Sequence, residues 1–219
     1  MLNWKGVDMA KITFVLGGAR SGKSAFAEGL AQKYHDVVYI ATAEVKDAEM
    51  RDRIQVHRAR RPFHWKTLEA PFQVDRVISN LNVKAELVYI DCITLYITNM
   101  LLRDETDACR DERTSTPAKD DKNTILNKTA SSADSFDIQG ENIKRNQPQI
   151  LDKINKLCRA CRESASDVII VSNEVGLGIV PDNALSRVFR DIAGSANQMI
   201  AHEADEVYFM VAGIAQRIK

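Results

Sequence analysis

Five short apolar runs punctuate the chain: Ile12–Leu16, Val37–Ala41, Leu87–Ile90, Val168–Val171 and Val207–Val211. None alternates polar with apolar positions, so each reads as a strand buried on both faces rather than one with a wet side. Helix-like segments separate them. That rhythm predicts an α/β fold, a mostly parallel sheet flanked by helices in three layers, with ligands gathering at the carboxyl ends of the strands. One interval breaks the pattern. From Asp104 to Gln147 the chain turns polar, as in Arg110–Lys122 and Thr129–Ser135, and such a stretch buries too little apolar surface to offset its ordering entropy. It is expected to be a flexible surface insertion at about 104–147 within a single domain spanning 11–219, with 1–10 as an N-terminal extension. A lid over the site is the functional alternative for a loop of that length.

The first strand runs into Gly17-Gly18-Ala19-Arg20-Ser21-Gly22-Lys23-Ser24, which is a full G-x-x-x-x-G-K-S phosphate loop. Its glycines let successive backbone amides face phosphate oxygens, Lys23 reaches the β- and γ-phosphates, and the Ser24 hydroxyl can ligate Mg²⁺. The following segment to Lys33 is helix-compatible and would aim a helix N-terminus at the anion. A Gly/Ser turn without a ligand is the bland alternative, but the strand before the loop and the helix after it favour nucleotide binding.

Composition narrows the partners. A chain of 219 residues suits one α/β domain with a sizeable core. Thirty basic and thirty acidic residues cancel, so no global field draws the protein to nucleic acid or an anionic membrane, and phosphate affinity must be local. Met1–Ala10 lacks the apolar core of a signal peptide, and no run approaches the roughly 18 apolar residues of a membrane span, which predicts a soluble cytoplasmic protein. Four cysteines, Cys92, Cys109, Cys158 and Cys161, make no disulfide framework. The Cys158-x-x-Cys161 pair lies in a helix-like stretch with no second ligand pair nearby, so it reads as helix packing rather than a metal or redox site.

Leu87–Asp91 is an apolar strand ending in a carboxylate, the form of a Walker B element whose Asp holds Mg²⁺ directly or through water. An Asp after a strand is also a common helix cap, but with a phosphate loop upstream metal binding by Ser24 and Asp91 is the better reading. The segment Glu49–Pro62 sets His57 beside Arg58, Arg60 and Arg61. Guanidinium forks bind phosphate bidentately and an imidazole can attack phosphorus, although a helical histidine among arginines, taken alone, reads as a solvated surface. The same holds for His35, His64 and His202. Asn173–Pro181 follows a strand, so Gly176 and Gly178 either admit a close substrate approach or simply make a tight turn.

Together these segments resemble a known family. Phe14–Ser24, Tyr39–Ala43, Asp47-x-Glu49-Met50 through Arg53-Ile54-Gln55-x-His57-x-x-x-Arg61-Pro62-x-x-Trp65, Thr67-x-Glu69, Asp91-Cys92, Thr98-Asn99, Asn173–Pro181 and Phe189–Gly194 closely resemble the bifunctional adenosylcobinamide kinase/adenosylcobinamide-phosphate guanylyltransferase family of cobalamin synthesis. The likeness covers nearly the whole chain outside the polar interval and the first ten residues. It implies a RecA-like P-loop NTPase fold and two reactions: γ-phosphoryl transfer from ATP or GTP to the aminopropanol hydroxyl of adenosylcobinamide, then transfer of GMP from GTP onto that phosphate. It implies that His57 is the covalently guanylylated residue, which reverses the reading of that histidine alone. It carries nucleotide contacts onto Gly17, Gly18, Ala19, Arg20, Ser21, Gly22, Lys23 and Ser24, onto Ala41, Thr42 and Ala43, onto Arg58, Ala59, Arg60 and Arg61, and onto Glu69 and Asp91. A homotrimer with sites near subunit boundaries is implied as well. The sequence departs from the family in the polar interval, in the N-terminal ten residues, and in Val56, where some members have a second histidine.

Imidazole suits guanylyl transfer because it is neutral near pH 7 and leaves readily afterwards. Lys23, Mg²⁺ and the loop amides would stabilise the departing pyrophosphate. Two other readings compete: a P-loop kinase without guanylyl transfer, and a nucleotide-dependent switch or RecA-like DNA-binding ATPase. Zero net charge and the lack of a basic stripe beyond Arg58–Arg61 argue against the DNA-binding form.

Overall fold

The computed structural model describes residues 10–44, 48–81, 85–102 and 134–219, with the backbone alone described at 49, 50, 53, 56, 60 and 134–145. In chain order the elements are β1 (Ile12–Gly17), α1 (Lys23–Ala31), β2 (Val37–Ala41), α2 (Ala48–Arg60), β3 (Lys66–Glu69), α3 (Val74–Ser79), β4 (Leu87–Asp91), α4 (Ile93–Leu101), α5 (Asp134–Arg162), β5 (Asp167–Asn173), α6 (Ala184–Glu203), β6 (Glu206–Val211) and β7 (Ile214–Arg217). All five expected strands are present, and the sheet is mostly parallel with helices on both faces. Its order is β3-β2-β4-β5-β1-β6-β7.

Period-two packing on that sheet makes two cores. Ile12, Phe14, Val38, Ile40, Val88, Ile90, Val168 and Ile170 face the layer built by α3, α4, α5 and α6. Val15, Val37, Tyr39, Leu87, Tyr89, Ile169 and Val171 face α1, where Ala27 and Ala31 let the helix lie close. Helix α5 presents Ile150, Ile154, Leu157, Cys158 and Cys161, all buried, at the three- and four-residue spacing of one helical stripe. Both thiols of the Cys158/Cys161 pair are therefore core groups, and burial pushes Cys158 up to about 11. Helix α6 starts at Asn183, whose side chain accepts a 2.7 Å hydrogen bond from the Ser186 amide.

Three features differ from the sequence reading. β3 was not expected, because Lys66-Thr-Leu-Glu69 is an edge strand, paired on one side only and too polar to register as an apolar run. β7 was missed as well. It returns antiparallel to β6 through Ala212 (φ 51°) and Gly213 (φ 83°), a two-residue turn with both central residues at positive φ. The polar interval Asp104–Gln147 lies partly outside the described residues, but from Asp134 onward it is helical, as the start of α5. The seven-, four- and three-residue steps through Ile143, Ile150, Ile154 and Leu157 extend the helical period back past Gln147, so a boundary drawn from polarity alone falls too late. Residues 1–9 of the expected extension lie outside the described residues. Ala10 is buried, and its carbonyl accepts from Arg162.

Carboxylates lace the amino-terminal edge of the sheet. Asp205 Oδ2 accepts from the Ile12 amide at 2.7 Å and pairs with Arg162 at 3.1 Å, joining β1, α5 and the α6–β6 link. Asp167 accepts from the Lys11 amide and from the Tyr34 hydroxyl. Partial desolvation pushes the Asp205 carboxyl up, but the Ile12 amide and the Arg162 guanidinium outweigh it and hold the group below its ordinary value. A depressed folded value means the stabilisation is present above the ordinary carboxylate range and is lost as pH falls through the folded value. Asp205→Asn should therefore lower the melting temperature at pH 7, with the gap to wild type narrowing as pH falls below the ordinary carboxylate range. Thermal melts across that range check it, and a gap that stays constant or widens on acidification refutes it.

Candidate active site

The parallel register brings the carboxyl ends of β2, β4, β5 and β1 to one edge: Ala41 lies opposite Asp91, Asp91 opposite Val171, and Gly17 opposite Asn173. The phosphate loop leaves β1 in the middle of this edge. Gly22 takes φ 92° as the residue before α1, which turns the chain so that the helix starts at Lys23. Arg20 also has positive φ, at 57°. The loop is braced from one side by the β6–β7 turn, where the Gly213 amide donates to the Ser21 carbonyl at 2.9 Å. Lys23 is buried and its Nζ donates to the Gly18 carbonyl at 2.9 Å, curled over the loop where phosphate oxygens would lie. The Ser21 hydroxyl is buried in the loop with no hydrogen-bond partner.

Beside the loop lies a cavity of about 410 Å³, within the range of small-molecule sites. Its walls bring together much of what the sequence singled out: Lys23 and Ser24 from the loop, Ala41 and Ala43 after β2, His57 and Arg58 from α2, Arg61, Glu69 on β3, and Asp91 on β4. Other residues fall elsewhere. Ala19, Arg20 and Ala59 are exposed and do not line it, and the Arg60 side chain lies outside the described residues. Thr42 is fully buried, its hydroxyl donating to the Cys92 carbonyl at 2.7 Å and accepting from the Cys92 amide at 2.8 Å. Thr42 thus holds the neighbouring alanines in place and turns its side chain away from the cavity. Glu69 and Arg58 form an exposed ion pair at 3.9 Å across the rim, of the kind that contributes little once screened.

Tyr39, Thr67 and Asn173, which the sequence places within motifs but marks with no site role, also line the cavity. The Tyr39 hydroxyl donates to Asp91 Oδ2 at 2.5 Å, and the Arg61 guanidinium carbon sits 3.5 Å from the centroid of the Tyr39 ring. Arg61 also reaches the Thr67 hydroxyl at 3.5 Å, while its Nε is buried with no partner. A signal existed: Tyr39 lies two residues before Ala41, hence on the same pleat face, and pairs with Tyr89 as Ala41 pairs with Asp91.

The titratable groups divide by role. Burial, with the Asp91 charge adding to it, pushes the Cys92 thiol up to about 12, which keeps this cavity-lining cysteine a neutral thiol at pH 7. Burial and Asp91 likewise raise the Tyr39 phenol well above its usual value, which keeps it a donor. His57 lines the same cavity. Ser24 and Asp91 present hard oxygen donors of the kind Mg²⁺ takes alongside substrate phosphates. Among the described residues no group of three or more His, Cys, Asp or Glu gathers to hold a metal.

Known proteins share this chain's pattern. The family model described as cobinamide kinase / cobinamide phosphate guanyltransferase matches residues 13–218. Two relatives are each named bifunctional adenosylcobalamin biosynthesis protein CobU: one from Salmonella typhimurium, 37% identical over 211 residues, and one from Escherichia coli, 38% identical over 206. In both, the match covers 94% of this chain and 98% of the relative. The bifunctional adenosylcobalamin biosynthesis protein CobP of Pseudomonas aeruginosa is 37% identical over 207 residues, covering 94% of this chain and 95% of its own.

The brace between the loop and the β6–β7 turn makes a direct prediction. A Cβ on Gly22 would sit 3.0 Å from the Gly213 Cα, at a positive φ that L-residues avoid. Gly22→Ala should cost about 1–3 kcal/mol of stability and weaken nucleotide binding at least tenfold. Thermal melts and nucleotide titration measure both, and wild-type affinity would remove this loop from the binding site.

Proposed function

The chain belongs to the cobinamide kinase / cobinamide phosphate guanyltransferase family, and from that premise we propose that it runs both reactions in the one cavity, with Lys23 and His57 as the catalytic residues. The protein is a bifunctional enzyme of adenosylcobalamin biosynthesis. The observation that carries the proposal is that the phosphate-loop Lys23 and Ser24, the Asp91 carboxylate, and His57 with Arg58 and Arg61 all line the same cavity.

In the first reaction a hydroxyl oxygen of adenosylcobinamide attacks the γ-phosphorus of ATP or GTP, the bond to the β-phosphate oxygen breaks, the nucleoside diphosphate leaves, and the hydroxyl proton passes to solvent. This step needs positioning and charge neutralisation rather than a covalent residue. Lys23 and the loop amides supply them from the γ side, and Arg61 adds a guanidinium whose buried Nε has no protein partner. Ser24 and Asp91 would hold Mg²⁺, which when bound neutralises phosphate charge.

In the second reaction a neutral ring nitrogen of His57 attacks the α-phosphorus of GTP and pyrophosphate departs against the same loop. The phosphate of adenosylcobinamide phosphate then attacks the GMP–histidine phosphorus, the P–N bond breaks, and adenosylcobinamide-GDP forms as the imidazole is regenerated. Burial keeps the Cys92 thiol protonated, which disfavours it as an alternative nucleophile. Arg58 and Glu69 at the rim are suited to contacts with the rest of the nucleotide.

The enzyme acts as a homotrimer. Exposed Leu177, Ile179 and Val180, which follow the cavity residue Asn173, support self-association, and light scattering tests the stoichiometry. Dependence on ATP and GTP supports a cytoplasmic location. No described helix is long and apolar enough to cross a membrane.

Two outcomes are expected. Incubation with GTP and Mg²⁺ should add the mass of one GMP to the wild type and none to His57→Asn, while that variant keeps most of its phosphoryl transfer to adenosylcobinamide. An adduct that persists in His57→Asn on another residue moves the nucleophile. Lys23→Ala should slow both reactions about a hundredfold, the loss of on the order of 3 kcal/mol of transition-state stabilisation. Wild-type rates would sink the phosphate-loop assignment.

A further inference from the structure

Tyr39 touches both an acidic and a basic group that the proposed chemistry uses, Asp91 and Arg61. Its hydroxyl donates to Asp91 Oδ2 at 2.5 Å. Its ring face carries the Arg61 guanidinium at 3.5 Å. The side chain itself cannot drift: it is 1% exposed, and its ring packs edge-on against Tyr89 with centroids 4.9 Å apart. Tyr89 in turn meets Trp65 edge-on at 6.2 Å. A rigid aromatic stack therefore ends in one hydroxyl and one ring face, and each is occupied by a cavity group of opposite charge.

Two physical consequences follow. A carboxylate can rotate about its last bond, and a donor fixed in the core removes that freedom by holding Oδ2, which leaves the other oxygen presented to the cavity. A guanidinium can sweep a wide arc, and a ring beneath it restricts the fork to a plane parallel to the aromatic face. One edge of that fork lies near Thr67, while its buried Nε has no partner.

We propose that Tyr39 is the positioning residue of the site, setting Asp91 through its hydroxyl and Arg61 through its ring so that carboxylate and guanidinium meet a cation–polyphosphate ligand in fixed relative orientation. The inference rests on the reading of the cavity as a nucleotide site, and it adds a residue outside the phosphate loop, the α2 segment and the Walker B carboxylate.

The two halves separate by substitution. Tyr39→Phe deletes the hydrogen bond and keeps the ring, whereas Tyr39→Leu deletes both. The experiment titrates the full chain and its variants with fluorescently labelled GTP, once with Mg²⁺ and once with EDTA. Tyr39→Phe should bind about tenfold more weakly than wild type with Mg²⁺, the scale of loss when an outer partner of a metal-binding carboxylate is removed, and should match wild type in EDTA. In an Asp91→Ala background it should change nothing further, since its effect passes through that carboxylate. Tyr39→Leu should weaken binding in EDTA as well, by about fivefold, because Arg61 loses its platform.

Wild-type affinity of Tyr39→Phe with Mg²⁺ overturns the proposal. So does equal weakening with and without the cation, persistence of the loss in the Asp91→Ala background, or loss of a cooperative melt in Tyr39→Phe, because each of these makes Tyr39 only a core side chain. Lys23→Ala serves as the control. If it too binds labelled GTP like wild type, the nucleotide-site reading has failed; if it weakens binding while Tyr39→Phe does not, only the positioning role has failed.

Discussion

Parallel pairing of β2 with β4, in the register that sets Tyr39 opposite Tyr89 and Ala41 opposite Asp91, is the constraint on which the cavity depends. Because side chains alternate faces, a slip of one residue would turn Asp91 and Tyr39 to the opposite side of the sheet, away from α1 and the phosphate loop. Burial on both faces is what specifies the register. Val38, Ile40, Val88 and Ile90 fill one core while Val37, Tyr39, Leu87 and Tyr89 fill the other, so either slip would exchange two packed sets at once.

Buried hydrogen bonds then fix how the chain leaves the sheet. Thr42 and Cys92 exchange hydrogen bonds where β2 and β4 end, and Asn99 on α4 donates to the Thr42 carbonyl at 2.7 Å and the Pro71 carbonyl at 3.2 Å. One buried amide thus ties together the exits of β2 and β3. At β5, Thr94 Oγ1 accepts from the Asn173 amide at 2.7 Å, and Asn197 on α6 donates to the Asn173 carbonyl. Polar groups this deep are costly when unpaired, so their mutual pairing holds the loops as rigidly as the strands that feed them.

The two edges of the sheet divide the charged residues. At the amino edge, Asp167, Asp205, Glu86 and Glu206 accept from strand-entry amides or pair with Lys11, Arg162 and Arg217, and their role is to stitch the fold. At the carboxyl edge, Asp91 has one oxygen held by Tyr39, and Arg61 has a buried Nε without a partner. Both groups line the cavity. Burial keeps Cys92 and Tyr39 protonated in the same place, so the uncharged groups shape the cavity without competing for phosphorus.

Local pattern by itself determined the five inner strands, the phosphate loop and the carboxylate ending β4, because each is a contiguous run whose chemistry or burial shows within a few residues. The motifs also carried the family, since Gly17–Ser24, the His57 segment and Asn173–Pro181 keep their spacing whatever the sheet order. Tertiary structure alone decided the order of the strands, and with it that β5 lies between the loop strand and the strand of Asp91. It decided that Thr42 turns inward while Ala41 and Ala43 line the cavity, and that Tyr39 bridges Asp91 and Arg61. It also supplied β3 and β7 and carried α5 back to Asp134, where polarity masked the helical period. The physical reason is common to all of these: edge strands, inward-turned hydroxyls and bridging aromatics take their roles from partners distant in the chain, and a partner that is distant in sequence leaves no local trace of the contact.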